Sequence, residues 1–344
     1  MKKSEVFPLR YIDWLKDNLP TGWTAKARHI EYLAEQLDSL TANVIDRLGI
    51  FMPPRHAKTQ TVTVRYAVYR LLLAEARGET VHILVTGYSD RFARRLSRLV
   101  RNAAKDAGIV LSKDKTGTDE WETSSGSLVM ARGVGAPPTG VGFHLIIIDD
   151  PIKRREDADS PAFREKLKDW YTDDLIQRLE PGGSILLIQT RWHEDDLGEF
   201  APSQEPDTWK IIKLAALAEE GDPLGREPGE ALWPERYNVA ALTRIRDITR
   251  REDGERAWES LYQQNPTPRE GAMIKVSKLQ FVDEVPAGLN SCRAWDMGAS
   301  DGKGDFTVGA RWDGPCEDGF YYITDLVLGQ WEPFERNQII RRTA

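Results

Sequence analysis

Met52-Pro53-Pro54-Arg55-His56-Ala57-Lys58-Thr59 and Leu145-Ile146-Ile147-Ile148-Asp149-Asp150-Pro151 are the stretches on which the fold of this 344-residue chain turns. The first ends in the Lys-Thr pair of a phosphate-binding loop but has neither glycine of the Gly-x-x-x-x-Gly-Lys-Thr frame. Residues 47–52 read as a short buried strand. A helix begins near Thr59, with Val64, Val68, Leu71 and Leu72 on one face. Lys58 and Thr59 therefore sit at a strand–loop–helix junction, where backbone N–H groups and a helix N-terminus can cradle phosphate.

The second stretch is an apolar strand ending in two carboxylates. Placing acids there is costly unless a cation or a proton-handling role uses them. Asp149 is suited to hold magnesium, commonly through water, and Asp150 to polarise an attacking water. A third piece follows the next strand, Ile188-Gln189-Thr190-Arg191-Trp192-His193, where a polar residue can sense a terminal phosphate. His193 with Glu194, Asp195 and Asp196 has the composition of a metal site, but carboxylates opening a helix are the plainer reading.

Outward from these motifs, strands and helices alternate. Residues 25–40 form an amphipathic helix through Ile30, Leu33, Leu37 and Leu40. Strands are expected at 81–86, 144–149, 184–190 and 210–215, and helices at 89–104 and within 161–179. This alternation predicts an α/β fold with a mostly parallel sheet. The Gly-rich run from Arg132 and Gly133 to Gly142 reads as a loop before the acid strand, either mobile near the site or plainly connecting. Composition changes at 219–236, rich in Glu, Gly and Pro, ahead of helices at 239–264. Pro266 to Gly271 reads as a linker. Beyond it, strands at 292–297, 307–312 and 320–327 suggest an antiparallel meander, with a helix from Pro333. The expected domains are 1–218, 219–272 and 273–344.

The bulk composition narrows the class. Hydrophobic residues make up 40% and charged residues 29%, ordinary for a globular chain. The net charge of −7 argues against wholesale wrapping of nucleic acid and leaves room for local basic patches. No run approaches a membrane span, the first residues have no apolar leader segment, and two cysteines fit a reducing compartment.

Taken together, these motifs resemble the large subunit of a phage terminase, the ATP-driven DNA-packaging motor, over essentially the whole chain. The marks are the 53–59 and 145–151 segments, Asp169-Trp170-Tyr171, Gln189 to Leu197, Tyr262-Gln263-Gln264-Asn265-Pro266, and Trp295-Asp296-Met297 with Gly304-Asp305-Phe306-Thr307. The resemblance implies an ASCE-type P-loop ATPase core, a small helical lid subdomain, and the N-terminal part of an RNase H-like nuclease domain. It implies that Pro54, Arg55, His56, Ala57, Lys58 and Thr59 form a deviant phosphate loop. Arg55 and Lys58 then act with Asp150 in catalysis, Thr59 and Asp149 bind Mg2+, and Gln189 and Thr190 couple hydrolysis to movement. Asp150 is a methylene shorter than the Glu more common at that position. Arg28 and His29 are candidates for contacting adenine.

In the family the nuclease uses Mg2+ or Mn2+ and two-metal chemistry. Asp296 is the expected ligand here, with Asp305 and Asp325 read rather as turn or structural acids. Since the family's other nuclease acids follow the first helix of that domain, no DNA cleavage is expected from these 344 residues. The implied partners are double-stranded DNA, the procapsid portal and a small terminase subunit. The implied state is monomer in solution and a ring when assembled, without membrane contact. The implied location is the host cytoplasm, docked transiently on the portal and absent from the mature virion.

Arg91, Arg94, Arg98 and Arg101 lie on one face of the 89–104 helix, opposite Phe92, Leu96 and Leu99. Such a stripe suits sequence-independent phosphate contacts. It equally suits an arginine finger or a solvated helix face. Two other functions stay open on sequence alone: a helicase-like ATPase stimulated by nucleic acid, and a prophage remnant that binds nucleotide or scaffolds partners without turnover.

Overall fold

The computed structural model describes residues 10–267, 280–298, 306–316 and 318–343. The chain divides into two compact units, Met1–Arg269 and Glu270–Ala344.

The first unit is built on an eight-stranded sheet. Its strands are β1 (Arg47–Phe51), β2 (His82–Gly87), β3 (Leu111–Thr116), β4 (Glu120–Thr123), β5 (Leu128–Gly133), β6 (Phe143–Asp149), β7 (Leu179–Gln189) and β8 (Trp209–Lys213), in the order β3-β4-β5-β2-β6-β7-β1-β8. From β5 to β8 all neighbours are parallel; β3, β4 and β5 pair antiparallel at one edge. Before the sheet come α1 (Tyr11–Asn18) and α2 (Arg28–Thr41). The crossovers are α3 (Tyr66–Arg77), α4 (Asp90–Asp106), α5 (Arg155–Asp159), α6 (Pro161–Asp169) and α7 (Leu197–Gln204). Then α8 (Val239–Asp253) and α9 (Glu255–Leu261) follow β8.

The parallel strands are apolar throughout because both faces are covered. Side chains alternate between faces at period 2. Leu145 and Ile147 of β6 enter the core beneath α1 to α4, whereas Ile146 and Ile148 enter the opposite core with Leu167, Trp170 and Leu197. β7 splits the same way, Leu186 and Ile188 against Ile185 and Leu187. Each such fully buried aliphatic is worth roughly 1.5–3 kcal/mol. A smaller cluster of Ala216, Ala231, Leu242 and Trp258 holds α8 and α9.

The sheet order places β7, which leads into Thr190, between the loop strand β1 and the acid strand β6. This is the additional-strand arrangement that the resemblance implies. The order of elements in 10–261 follows the expected alternation, apart from α1 and α5, which were not expected from the sequence, and three further departures. First, β3, β4 and β5 were not anticipated. Arg132 and Gly133 end β5 rather than opening a loop, and the Gly133 N–H donates to Asp90 Oδ1 at 2.7 Å. A Cβ at Gly133 would lie 2.2 Å from Asp90 N, so α4 can start this close to the sheet only over glycine. Second, the helix after Lys58 opens as a π-helix, Thr59–Arg65, before α3 continues it. The wider coil rotates the buried face, so Leu73 is buried and Leu72 is only half-buried. Third, α6 runs into a second π-helical stretch, Trp170–Leu175.

The second unit contains β9 (Ser291–Asp296), β10 (Thr307–Asp313) and β11 (Tyr322–Gly329), antiparallel in the order β11-β10-β9, and α10 (Pro333–Thr343). Most of the expected 266–271 linker and Asp305 lie outside the described residues. Among the described residues, no helix is long and apolar enough to cross a membrane.

Candidate functional site

β1 delivers the chain to Met52, whose N–H donates to Gln189 O at 3.3 Å. Pro53 and Pro54 carry no N–H. Arg55 and Ala57 then take left-handed backbone angles, φ 63° and 72°, where a phosphate loop commonly has glycine. His56 turns inward. Its Nδ1–H donates to Pro54 O at 2.9 Å, its ring packs 5.1 Å from that of Tyr237, and its carbonyl accepts from His29 Nε2 at 3.3 Å. Burial pushes both imidazoles down, His29 to about 3 and His56 to about 4, so both rings are neutral. The loop therefore keeps its shape through packing beneath it rather than through glycine.

Lys58 is buried, and its ammonium donates to Asp150 Oδ1 at 2.7 Å and to Thr190 Oγ1. Asp150 leaves the acid strand at φ 46° and takes a second donor on the same oxygen, the Thr190 N–H at 3.0 Å. Beside it Asp149 is fully buried. Thr63 Oγ1 donates to its Oδ2 at 2.7 Å, and Thr59 Oγ1 lies 3.5 Å from its Oδ1. Burial, and then the charge of Asp150, push the Asp149 carboxyl up to about 7, against the pull of Lys58 and the two threonines. A carboxylate in that state gains from a cation brought beside it.

Lys58, Thr59, Asp150 and Thr190 meet at a cleft of about 550 Å³ that Pro54, Arg55 and Ala57 also line, whereas Asp149 is buried and is not part of its lining. Trp192, from the motif after β7, also lines it, as do Trp23, Tyr88, Phe92, Lys153 and Arg236, which no local sequence signal marks as site residues. Arg236 stacks 5.6 Å from the Trp23 ring, a pairing across more than two hundred residues that no local pattern announces. Of the expected residues, His56 lies beneath the cleft, and Gln189 turns away from it to donate to Asp196 Oδ1 at 3.0 Å. Arg28 and His29 do not line the cleft. Arg28 reaches Gly225 O at 3.4 Å and Glu230 at 3.7 Å, and His29 holds the loop from below.

The acids after Trp192 are structural. Asp196 caps α7 through Gly198 N at 2.9 Å and pairs with buried Arg191 at 2.9 Å, while Asp195 pairs with Lys168 at 2.9 Å. On α4, Arg91, Arg94, Arg95 and Arg98 surround a concave surface of about 610 Å³ with Thr118, and none forms an ion pair among the described residues. Arg101 is drawn off, donating to Thr116 O and Gly117 O at 2.5 and 2.9 Å, whereas Arg95 joins the bowl. In the second unit Asp296 is exposed at the end of β9, and Asp325 is paired with Arg293, which holds its carboxyl below the usual range. Among the described residues, no three His, Cys, Asp or Glu side chains gather as metal ligands.

The first unit is an α/β unit with a mostly parallel eight-stranded sheet, and the cleft lies at the ends of β1, β6 and β7. No protein-family model matches the sequence, and no curated protein matches it significantly. Solved structures do match. The HK97 bacteriophage large terminase aligns with a TM-score of 0.52 at 14% identity, covering 96% of this chain and 70% of that one. The large terminase of a thermophilic bacteriophage, in complex with ATP-gamma-S, gives a TM-score of 0.41 at 12% identity, covering 92% and 72%. The chain has the fold of a phage large terminase.

Proposed function

We propose that the chain hydrolyses ATP in the cleft beside Lys58 and uses the energy to drive double-stranded viral DNA into a procapsid. The observation that carries this reading is the convergence of Lys58, Asp150 and Thr190 from three separated strand ends on one point at the cleft floor. Lys58 is placed to move from these acceptors to the β/γ-phosphates, with the loop around Pro54, Arg55 and Ala57 beneath them. Asp150 Oδ1 is held by two donors, and its Oδ2 has no hydrogen-bond partner among the described residues, which suits it to orient and deprotonate a water. Thr59 and Asp149 present two oxygens 3.5 Å apart and would hold Mg2+. The ion would neutralise charge on the phosphates. Thr190, in contact with Lys58, registers whether the ammonium is occupied by phosphate.

The remaining assignments follow the same reading. Residues 1–218 act as the ATPase core, 219–272 as lid and linker, and 273–344 as the start of an RNase H-like unit. In that unit Asp296 would supply one carboxylate of the Mg2+ or Mn2+ site with which a complete nuclease domain cuts concatemers. The unpaired arginine bowl on α4 contacts DNA phosphates. The motor assembles as a ring on the portal in the host cytoplasm, with a small terminase subunit delivering DNA. The test is ATP hydrolysis with and without DNA, followed by packaging into portal-bearing procapsids. Turnover stimulated by DNA and abolished in Lys58→Ala supports the reading, and undiminished turnover in Lys58→Ala overturns it.

A further inference from the structure

Strand β7 ends at Gln189, so the next amides have no ladder partner, yet each is held. Thr190 N–H donates to Asp150 Oδ1 at 3.0 Å, Arg191 N–H to Gln264 Oε1 at 3.0 Å, and Trp192 N–H to Asp196 Oδ2 at 3.1 Å. Three consecutive backbone donors are thus captured by three side chains from three different places in the chain. Asp150 belongs to the site and Asp196 caps the helix that follows. Gln264 alone comes from beyond α9, in the segment Tyr262-Gln263-Gln264-Asn265-Pro266.

Gln264 is built into its position. It is 1% exposed, sits at φ 59° despite its side chain, and its Nε2 donates to Leu261 O at 2.6 Å. Leu261, the last residue of α9, also lines the cleft. Neighbouring residues fix the same segment from the other side. Gln263 exchanges bonds with the Leu217 backbone at 3.0 and 3.1 Å, Tyr262 O accepts Ala216 N–H at 2.7 Å, and Asn265 N–H donates to Glu259 O at 2.8 Å. A buried left-handed glutamine costs backbone strain, which the fold tolerates only where the surroundings over-determine it.

We propose that Gln264 is a positioning residue. It ties the Thr190 loop, and through it Lys58 and Asp150, to the end of α9, so that nucleotide occupancy is felt in the segment 255–266. The inference rests on the ATPase reading above. Its logic is geometric: a shift of Lys58 toward phosphate releases Thr190 Oγ1, the loop carries Arg191 N with it, and Gln264 either follows or restrains the movement. In the other direction, a change in the 262–266 segment alters where Thr190 and Asp150 stand relative to the reacting phosphate.

The test compares wild type with Gln264→Met, which keeps the side-chain length and removes both polar atoms, and Gln264→Glu, which keeps an acceptor for Arg191 N–H. Both variants lose the bond to Leu261 O, and both lose some melting temperature. Only their difference in kcat reports on Arg191. The expected result is a kcat for Gln264→Met about ten- to a hundredfold below wild type with little change in KM, and a Gln264→Glu kcat close to wild type. Hydrogen exchange of the wild-type chain gives an independent readout. A non-hydrolysable ATP analogue should change exchange at 52–59, 189–193 and 255–266 together.

Wild-type kcat in Gln264→Met, equal losses in the two variants, or an analogue effect that stops short of 255–266 would each overturn the proposal. If Gln264→Met does not fold, the wild-type exchange pattern and the Gln264→Glu kcat decide. If the analogue leaves even 52–59 unchanged, it is the ATPase reading that fails, and the two failures are told apart.

Discussion

Lys58 Nζ stands 2.7 Å from Asp150 Oδ1, an ion pair between the end of the 52–59 loop and the residue that follows β6. It makes the cation and the proposed base a single unit before any phosphate arrives. Replacing Lys58 by Met should lower ATP turnover by about 10²–10³-fold, the usual scale for losing one preorganised charge contact to a transition state. Phosphate release at saturating ATP measures this. In the same assay Asp150→Asn should fall as far or further, while Asp150→Glu, which restores the commoner length, should keep turnover.

Ala57 occupies a left-handed position, φ 72°, that costs a residue with a Cβ about 1–2 kcal/mol. Glycine removes that strain but frees the unfolded chain, so Ala57→Gly should be stabilising by about 1 kcal/mol net. Thermal melting should rise by about 2–4 °C. A fall would show that the Ala57 methyl contributes packing that outweighs the strain.

His29 and His56 set an acid limit on stability. Burial holds their folded-state pKa values at about 3 and about 4, with Arg226 and Arg236 nearby opposing protonation. Above pH ~6.5 neither state is protonated at these rings and no penalty arises. Below it the unfolded chain binds protons that the folded chain refuses, so stability falls as pH drops from ~6.5 toward ~4. The slope is about 1.4 kcal/mol per pH unit for each ring. Melting temperatures between pH 7 and pH 4.5 test this. Asp149, whose carboxyl burial pushes up to about 7, acts in the opposite sense over the same range, so the check is the difference between wild type and His29→Gln, which keeps a donor for His56 O and should remove one ring's share, about 1.4 kcal/mol per pH unit.

The arginine bowl makes a prediction separate from the cleft. Reversing Arg94 and Arg98 to Glu should weaken DNA binding and reduce the slope of log K against log salt by at least about 2. Nucleotide binding without DNA should not change. Unaltered affinity and slope in a salt titration would leave these side chains as a solvated face.

Legibility followed the range of the interactions. Leu145 to Ile148 could be read as a two-sided buried strand because burial on both faces erases alternation, and the acids that end it were conspicuous for the same reason. The spacing of Phe92, Leu96 and Leu99 announced α4, though only Leu96 of the three is fully buried, the inward face running instead through Ala93, Ser97 and Val100. The β3–β4 edge was not legible. Its residues, such as Lys113, Asp114 and Lys115, are exposed and charged, and β4 spans only four residues. The π-helix after Lys58 was invisible because the composition that makes an α-helix also makes a π turn. Gln264 illustrates the hardest class: its partner Arg191 is 73 residues away, and nothing in the intervening sequence states the pairing.

The sheet order also has a dimensional consequence. With β7 between them, β1 and β6 lie two strand spacings apart, about 10 Å. That spacing sets how far the 52–59 loop stands from the acids that end β6, with the start of the Thr190 loop between them. The two side chains close that gap together, Lys58 Nζ meeting Asp150 Oδ1 at 2.7 Å. The aperture is therefore fixed by backbone hydrogen bonding, the least mutable part of the structure. Side-chain changes in the cleft can alter which groups face one another there, but not the spacing of the strands that carry them.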